Sequence, residues 1–169
     1  MKRKPVFYTL LVLFAVAIVA LDQWTKRLIL AADAAGKLPG KSILGIFHLM
    51  HTENTGGAWS LFEGQLWLFV LVMVLFVAAL IVLVWRKVIT RPSELWCLTA
   101  ILGGGLGNMI DRLTTGSVTD MICFDFVSFP VFNVADMFIT VGCAALILFV
   151  LVADGKKKPK KGESNDAAS

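Results

Sequence analysis

Three groups of polar residues sit at helical spacing inside otherwise apolar stretches: Asp22 with Lys26; Asn108, Asp111 and Arg112; and Asn133, Asp136 and Thr140. Asp22 precedes Lys26 by four positions, the favourable order for an ion pair on one helix face. The other two sets are spaced three and four apart, so each shares one face. Asp136 has no Lys or Arg in the 19 residues that follow it. Asp120 lies in a segment of alternating character, 117–126, where it shares a face with Val118, Ile122, Phe124 and Phe126, while Asp125 falls on the other face. Two carboxylates in apolar surroundings at one depth resolve their repulsion by sharing a proton. That is the arrangement peptide hydrolysis needs, one carboxylate activating water and the other protonating the carbonyl. Intramembrane aspartates also serve proton- or ion-coupled carriers, and on residue types alone both readings stand.

The remaining polar residues have plainer uses. Asp22 with Lys26 reads as a structural ion pair at a helix end. Asp111 and Arg112 can pair with each other or with neighbours, or Arg112 can hold a ligand carbonyl or carboxylate. Asn108 and Asn133 can satisfy backbone groups. His48, His51 and Glu53 would make a poor metal site, because residues three apart on a strand point to opposite faces. No P-loop and no GxSxG motif is present, and Gly103 to Gly107 is not a dinucleotide fingerprint, since Asn108 stands in place of its last glycine.

These residues must be positioned by apolar elements. Residues AVILMFWYC make up 57% of the 169 positions and charged residues 17%, with a mean hydropathy of +0.78. Soluble domains carry about 25% charged residues, so a membrane protein is expected and a disordered chain is excluded. A helix of about 20 residues crosses the hydrocarbon core, and four spans are expected at about 6–29, 65–85, 94–113 and 132–153. The first reads as a span rather than a cleaved signal peptide, because it runs on into Asp22, Thr25 and Lys26. The third is the least apolar, and its Gly103 and Gly107 suit close helix packing. Residues 41–52, with a turn at 54–57, and residues 117–126 are expected to form a small sheet on the outer face. The fold class is thus an all-α membrane protein with four transmembrane helices and a small β element. Cys97, Cys123 and Cys143 lack metal or redox spacing and read as buried thiols.

The formal charge of +4 is concentrated in Lys2, Arg3 and Lys4, in Arg86, Lys87 and Arg91, and in a tail with Lys156, Lys157, Lys158, Lys160 and Lys161. Residues 31–63 and 114–131 carry only Lys37 and Lys41. The positive-inside rule then places both termini in the cytoplasm and the polar groups of the spans near the outer face. Such charge runs set topology or touch anionic lipid, so no nucleic-acid partner is expected. Residues 1–153 form one transmembrane domain on this reading, and 154–169 a basic, disordered cytoplasmic tail.

Five motifs in order resemble the bacterial lipoprotein signal peptidase family, signal peptidase II. Asp22-Gln23-Trp24-Thr25-Lys26 is similar to DxxTK, Asn54 to Ser60 to NxGxA[FW]S, and Gly103 to Arg112 to GGxxGNxxDR; Gly116 to Asp120 matches GxVxD and Phe132 to Asp136 matches FNxAD. Met121 stands where the family usually has an aromatic, Gly57 where Ala is commoner, and the stretch from Asp120 to Asp136 is short. The resemblance implies an aspartic endopeptidase of the inner membrane, cleaving prolipoproteins before a diacylglyceryl-modified cysteine and inhibited by globomycin. It implies Asp120 and Asp136 as the catalytic pair and Asn54, Asn108 and Arg112 as substrate-binding residues, with Asp22, Lys26, Asp111 and Asn133 supporting them. It implies no cofactor or metal, membrane lipid as a partner, and a monomer.

Overall fold

The computed structural model describes residues 5–155, so the basic start at 2–4 and all but the first two residues of the tail expected at 154–169 lie outside the described residues; 154–155 belong to the last helix. Helices α1 (Pro5–Ala34), α2 (Leu66–Trp85), α3 (Pro92–Thr114) and α4 (Val134–Gly155) are joined by strands β1 (Phe47–Asn54) and β2 (Val118–Phe124) and a short 3₁₀ turn at Ala58–Ser60. α1, α2 and α4 are each long and apolar enough to cross a bilayer. This is a multi-pass membrane protein. α3 has the length, but it carries Glu94, Asp111, Arg112 and a run of glycines. Its place explains that composition. It packs against α1, α4 and, more lightly, α2, and a helix surrounded by others need not be apolar all round. α2 shows the converse, with no buried residue along its length.

Glycines set the helix separations. A Cβ at Gly103 would press on Ile18 of α1, and one at Gly107 would lie 2.6 Å from the Asp22 carboxylate. On the next face, a Cβ at Gly104 would lie 2.5 Å from the Ala135 carbonyl oxygen of α4. The expected small-residue spacing therefore serves α1, and its neighbour Gly104 serves α4.

α1 runs five residues beyond the expected span end near Ile29, through Leu30 and the helix-favouring Ala31, Ala32 and Ala34. It stops at Gly36, whose φ of 64° suits glycine. Gly36 N–H bonds to Asp33 O and Lys37 N–H to Ala32 O, the six-residue closure that satisfies the last carbonyls. The extra turn brings Asp33 to His51 Nδ1 at 2.7 Å and so ties the helix to β1.

β1 and β2 pair antiparallel, with Thr52 opposite Asp120 and Asn54 opposite Val118; an irregularity lies between Leu49 and Thr52. The chain after β2 folds back along it. Met121 and Ile122 donate to Phe132 O, and Phe132 N–H returns a bond to Ile122 O. This return delivers Asn133 to the start of α4. The loop is filled by Phe124, Phe126, Phe129 and Phe132, with ring centroids 5.1–5.9 Å apart.

Candidate active site

Asp120 and Asp136 line one cavity of about 480 Å³, together with Asn54, Asn108 and Arg112. Asp120 is 2% exposed. Asn54, two residues beyond its cross-strand partner Thr52, donates through Nδ2 to Asp120 Oδ2 at 2.9 Å. Asn133 donates through Nδ2 to Asp120 Oδ1 at 2.7 Å. Asp136 occupies the first turn of α4. Its backbone N–H bonds to Asn133 Oδ1 at 2.9 Å, and its Oδ2 accepts the Asn133 N–H at 3.1 Å. This reciprocal pair caps the helix, at a position that suits an acidic side chain. Asp136 Oδ1 accepts Asn108 Nδ2 at 2.7 Å, and Asn108 Oδ1 accepts Asn133 Nδ2 at 3.0 Å. Two asparagines thus link both carboxylates in one network.

Behind the asparagines stands Lys26, 3% exposed. Its Nζ lies 2.8 Å from Asp22 Oδ2, 2.7 Å from Asp111 Oδ2 and 2.9 Å from Asn108 Oδ1. The expected Asp22–Lys26 pair is therefore one edge of a larger cluster. Asp22 Oδ1 also accepts the Ala135 N–H at 3.0 Å, which fixes the start of α4 against α1. Gln23, which the sequence reading passed over, donates to Asp111 Oδ1 at 2.7 Å and to Gly107 O at 3.2 Å.

Of the alternatives open for Asp111 and Arg112, mutual pairing is not the one adopted. Asp111 turns to Lys26. Arg112 turns the other way, donating to Gly56 O at 2.6 Å and placing its guanidinium 4.1 Å from the Phe69 ring centroid. Its buried Nε has no acceptor among the described residues. Arg112 as a residue lines the cavity, where its guanidinium can receive a carbonyl oxygen. Gly56 itself has no room for a side chain, because Leu61 O lies 2.8 Å from where its Cβ would be. That loop is closed by Gly57 N–H to Leu61 O, and it brings Trp59 edge-on to Phe129 at 5.9 Å.

Asp125 lies away from the site, bonded to Ser42 and to His48 Nδ1 at 2.6 Å. Those two bonds hold its carboxyl below the usual range. The histidines take separate partners, His48 with Asp125 and His51 with Asp33.

Residues 14–152 match the signal peptidase II family. The chain belongs to that family. It is 38% identical over 146 residues to a lipoprotein signal peptidase of Brevibacillus brevis, covering 86% of this chain and 96% of the relative. It is 40% identical over 154 residues to one from Geobacillus thermodenitrificans, covering 88% and 89%. A solved bacterial membrane enzyme superposes with a TM-score of 0.79 at 27% identity, covering 92% of this chain and 95% of the other. The five motifs of this signal peptidase II therefore converge in space: DxxTK supplies Asp22 and Lys26, and the other four supply Asn54, Asn108 to Arg112, Asp120, and Asn133 to Asp136.

Burial raises the Asp120 carboxyl to about 6, and the Asp136 charge adds to the rise; the bonds from Asn54 and Asn133 oppose it. If the active form of the pair holds one proton, that proton is lost as pH rises through this value. The kcat/KM of the free enzyme is then expected to fall on its alkaline side near pH 6. Asn54→Ala removes a donor that favours the anion, so the falling limb should move to higher pH. A pH series of kcat/KM for parent and variant checks this, and a limb that moves down or stays put contradicts it.

Proposed function

We propose that this membrane protease is an aspartic endopeptidase, removing the signal peptide of prolipoproteins by cleavage before a diacylglyceryl-modified cysteine. The observation that carries the reading is the pair Asp120 and Asp136 on one cavity wall, joined through Asn108 and Asn133. Asp136 takes a proton from water, and the hydroxyl oxygen adds to the scissile carbonyl carbon. Asp120 gives its proton to the carbonyl oxygen. Collapse of the tetrahedral intermediate breaks the C–N bond: the cysteine nitrogen leaves with the proton taken up by Asp136, and one hydroxyl of the intermediate returns its proton to Asp120 as the new carboxyl group forms. Arg112 and Asn54 line the same cavity and position the peptide. Lys26, Asp22 and Asp111 hold Asn108, and Asn133 holds both carboxylates. A carrier reading would use the same aspartates, but membership of a peptidase family favours hydrolysis.

The test is cleavage of a lipidated precursor by the purified protein in detergent or bilayer. Cleavage is expected without nucleotide, added metal or ion gradient, and unaffected by chelators or serine-directed reagents. Dependence on an imposed gradient, or no cleavage by a demonstrably folded sample, overturns the reading.

α3, packed among the other helices, serves as the fourth span, so that the starts of β2 and α4 lie at the outer face of the bacterial inner membrane. The protein works there as a monomer among membrane lipids. Reporter fusions at Gly40 and Gly155 are expected on opposite sides of the membrane. Both on the same side would contradict four spans.

A further inference from the structure

Asp120 stands where two cavities of opposite character meet. The larger, about 480 Å³, extends from it along Val118, Phe124, Phe132, Met137, Ile139 and Val141. The second, about 300 Å³, shares Asp120 and Asn54 with it and is lined besides by Thr52, Glu53, Thr55, Ser60, Glu63 and Ser128. Gly57, Phe129, Pro130 and Val131 contribute to both walls. An extended chain whose reacting carbonyl sits beside Asp120 has both cavities within reach, one for each flank. A signal peptide is apolar before its cleavage site and meets the lipid, so the apolar cavity beside α4 suits that flank. The chain beyond the cut leaves for water, and the polar cavity is built from β1 and the loop that follows it, outside the helices.

We infer that the polar cavity is a binding subsite for the first residues of the mature chain, and that Glu63 there selects against acidic residues. Thr55 Oγ1 donates to Glu63 Oε1 at 3.1 Å, which holds this exposed carboxylate at the cavity wall. Glu53 adds a second negative charge, and among the described residues no Lys, Arg or His lines the cavity. An acidic residue in the second or third position after the cysteine would meet Glu63 and Glu53 together. A lysine there would be attracted, and serine or glutamine would be accommodated by the hydroxyls. This inference rests on the peptidase reading.

The experiment compares three lipidated precursor peptides, identical except for Lys, Gln or Glu at the second and third positions after the cysteine. With the parent protein, kcat/KM should favour Lys over Glu by on the order of threefold to tenfold. Glu63→Gln should shrink that ratio and Glu63→Lys should reverse it, each variant being referred to its own rate on the Gln peptide. Raising the salt concentration should bring the parent's ratio toward one, because exposed charges are screened. A ratio that is near one in the parent, or the same in all three proteins, overturns the subsite while leaving the peptidase intact. Failure of the folded parent to cleave even the Gln peptide overturns the peptidase reading and the subsite with it.

Discussion

Asp120→Asn and Asp136→Asn are each expected to abolish measurable cleavage of a lipidated precursor, while the protein remains inserted and folded. Each change keeps the size of the side chain and removes its acid–base function. General acid–base assistance is worth about 10²–10⁴-fold, and losing the group that activates water should cost at least that. The double variant should be little worse than either single one, because groups that act as a unit are not additive. Both carboxylates accept from donors on both oxygens: Asp120 from Asn54 and Asn133, Asp136 from Asn108 and the Asn133 backbone. An asparagine at either place turns its own amide hydrogens on one of those donors. Some stability is lost, about 1–3 kcal/mol for a buried bond left unmade, so activity must be expressed per folded molecule. Asp125→Asn is the control. It is bonded to Ser42 and His48, away from the cavity, and should retain most activity. Near-parental turnover by either dyad variant refutes the assignment. Loss confined to Asp125→Asn would mean that the wrong face of β2 had been chosen.

Much of this site could be read before any fold was known, and the reason is the solvent. Lipid tolerates few polar side chains, so those inside apolar runs must meet each other. Asp22, Lys26, Asn108, Asp111, Asn133 and Asp136 announced themselves in that way, and helical spacing placed each set on one face. The parity of an alternating strand separated Asp120 from Asp125. What stayed hidden depends on partners far away in the chain. Nothing in the spacing of Asp111 and Arg112 tells that one turns to Lys26 and the other to Gly56 O. Gln23 reads as an ordinary polar residue near a helix end, yet it bridges Asp111 and Gly107 O across to α3. The return of residues 129–133 along β2 is made by backbone bonds to Phe132, which carry no side-chain signature. The helix α1 runs past the expected span because Ala31, Ala32 and Ala34 mark no boundary, and the stop comes from Gly36 beyond them.

Lys26→Met should be the most damaging single change outside the dyad, costing about 3–5 kcal/mol, as expected when one side of a buried charge cluster is removed. The sequence suggested one lysine balancing one aspartate. In the structure one ammonium serves two carboxylates and an amide, with all three acceptors within 2.9 Å. Methionine fills much of the same space but leaves Asp22 and Asp111 buried without their cation, and one must take up a proton or let in water. The loss also reaches the proposed catalytic pair. Lys26 and Asn133 both donate to Asn108 Oδ1, and that orientation aims Asn108 Nδ2 at Asp136. Without Lys26 the Asn108 amide is held on one side only, so the surviving folded fraction should also turn over more slowly. Asp22→Asn should be milder, because Lys26 keeps Asp111 and Asn108, although Ala135 N–H then competes for a side chain with a single acceptor. Thermal unfolding in detergent, folded yield and cleavage per folded molecule, measured for both variants, test the ordering. If Lys26→Met melts with the parent, or if Asp22→Asn is the worse of the two, the cluster does not hold the helices together through its shared cation.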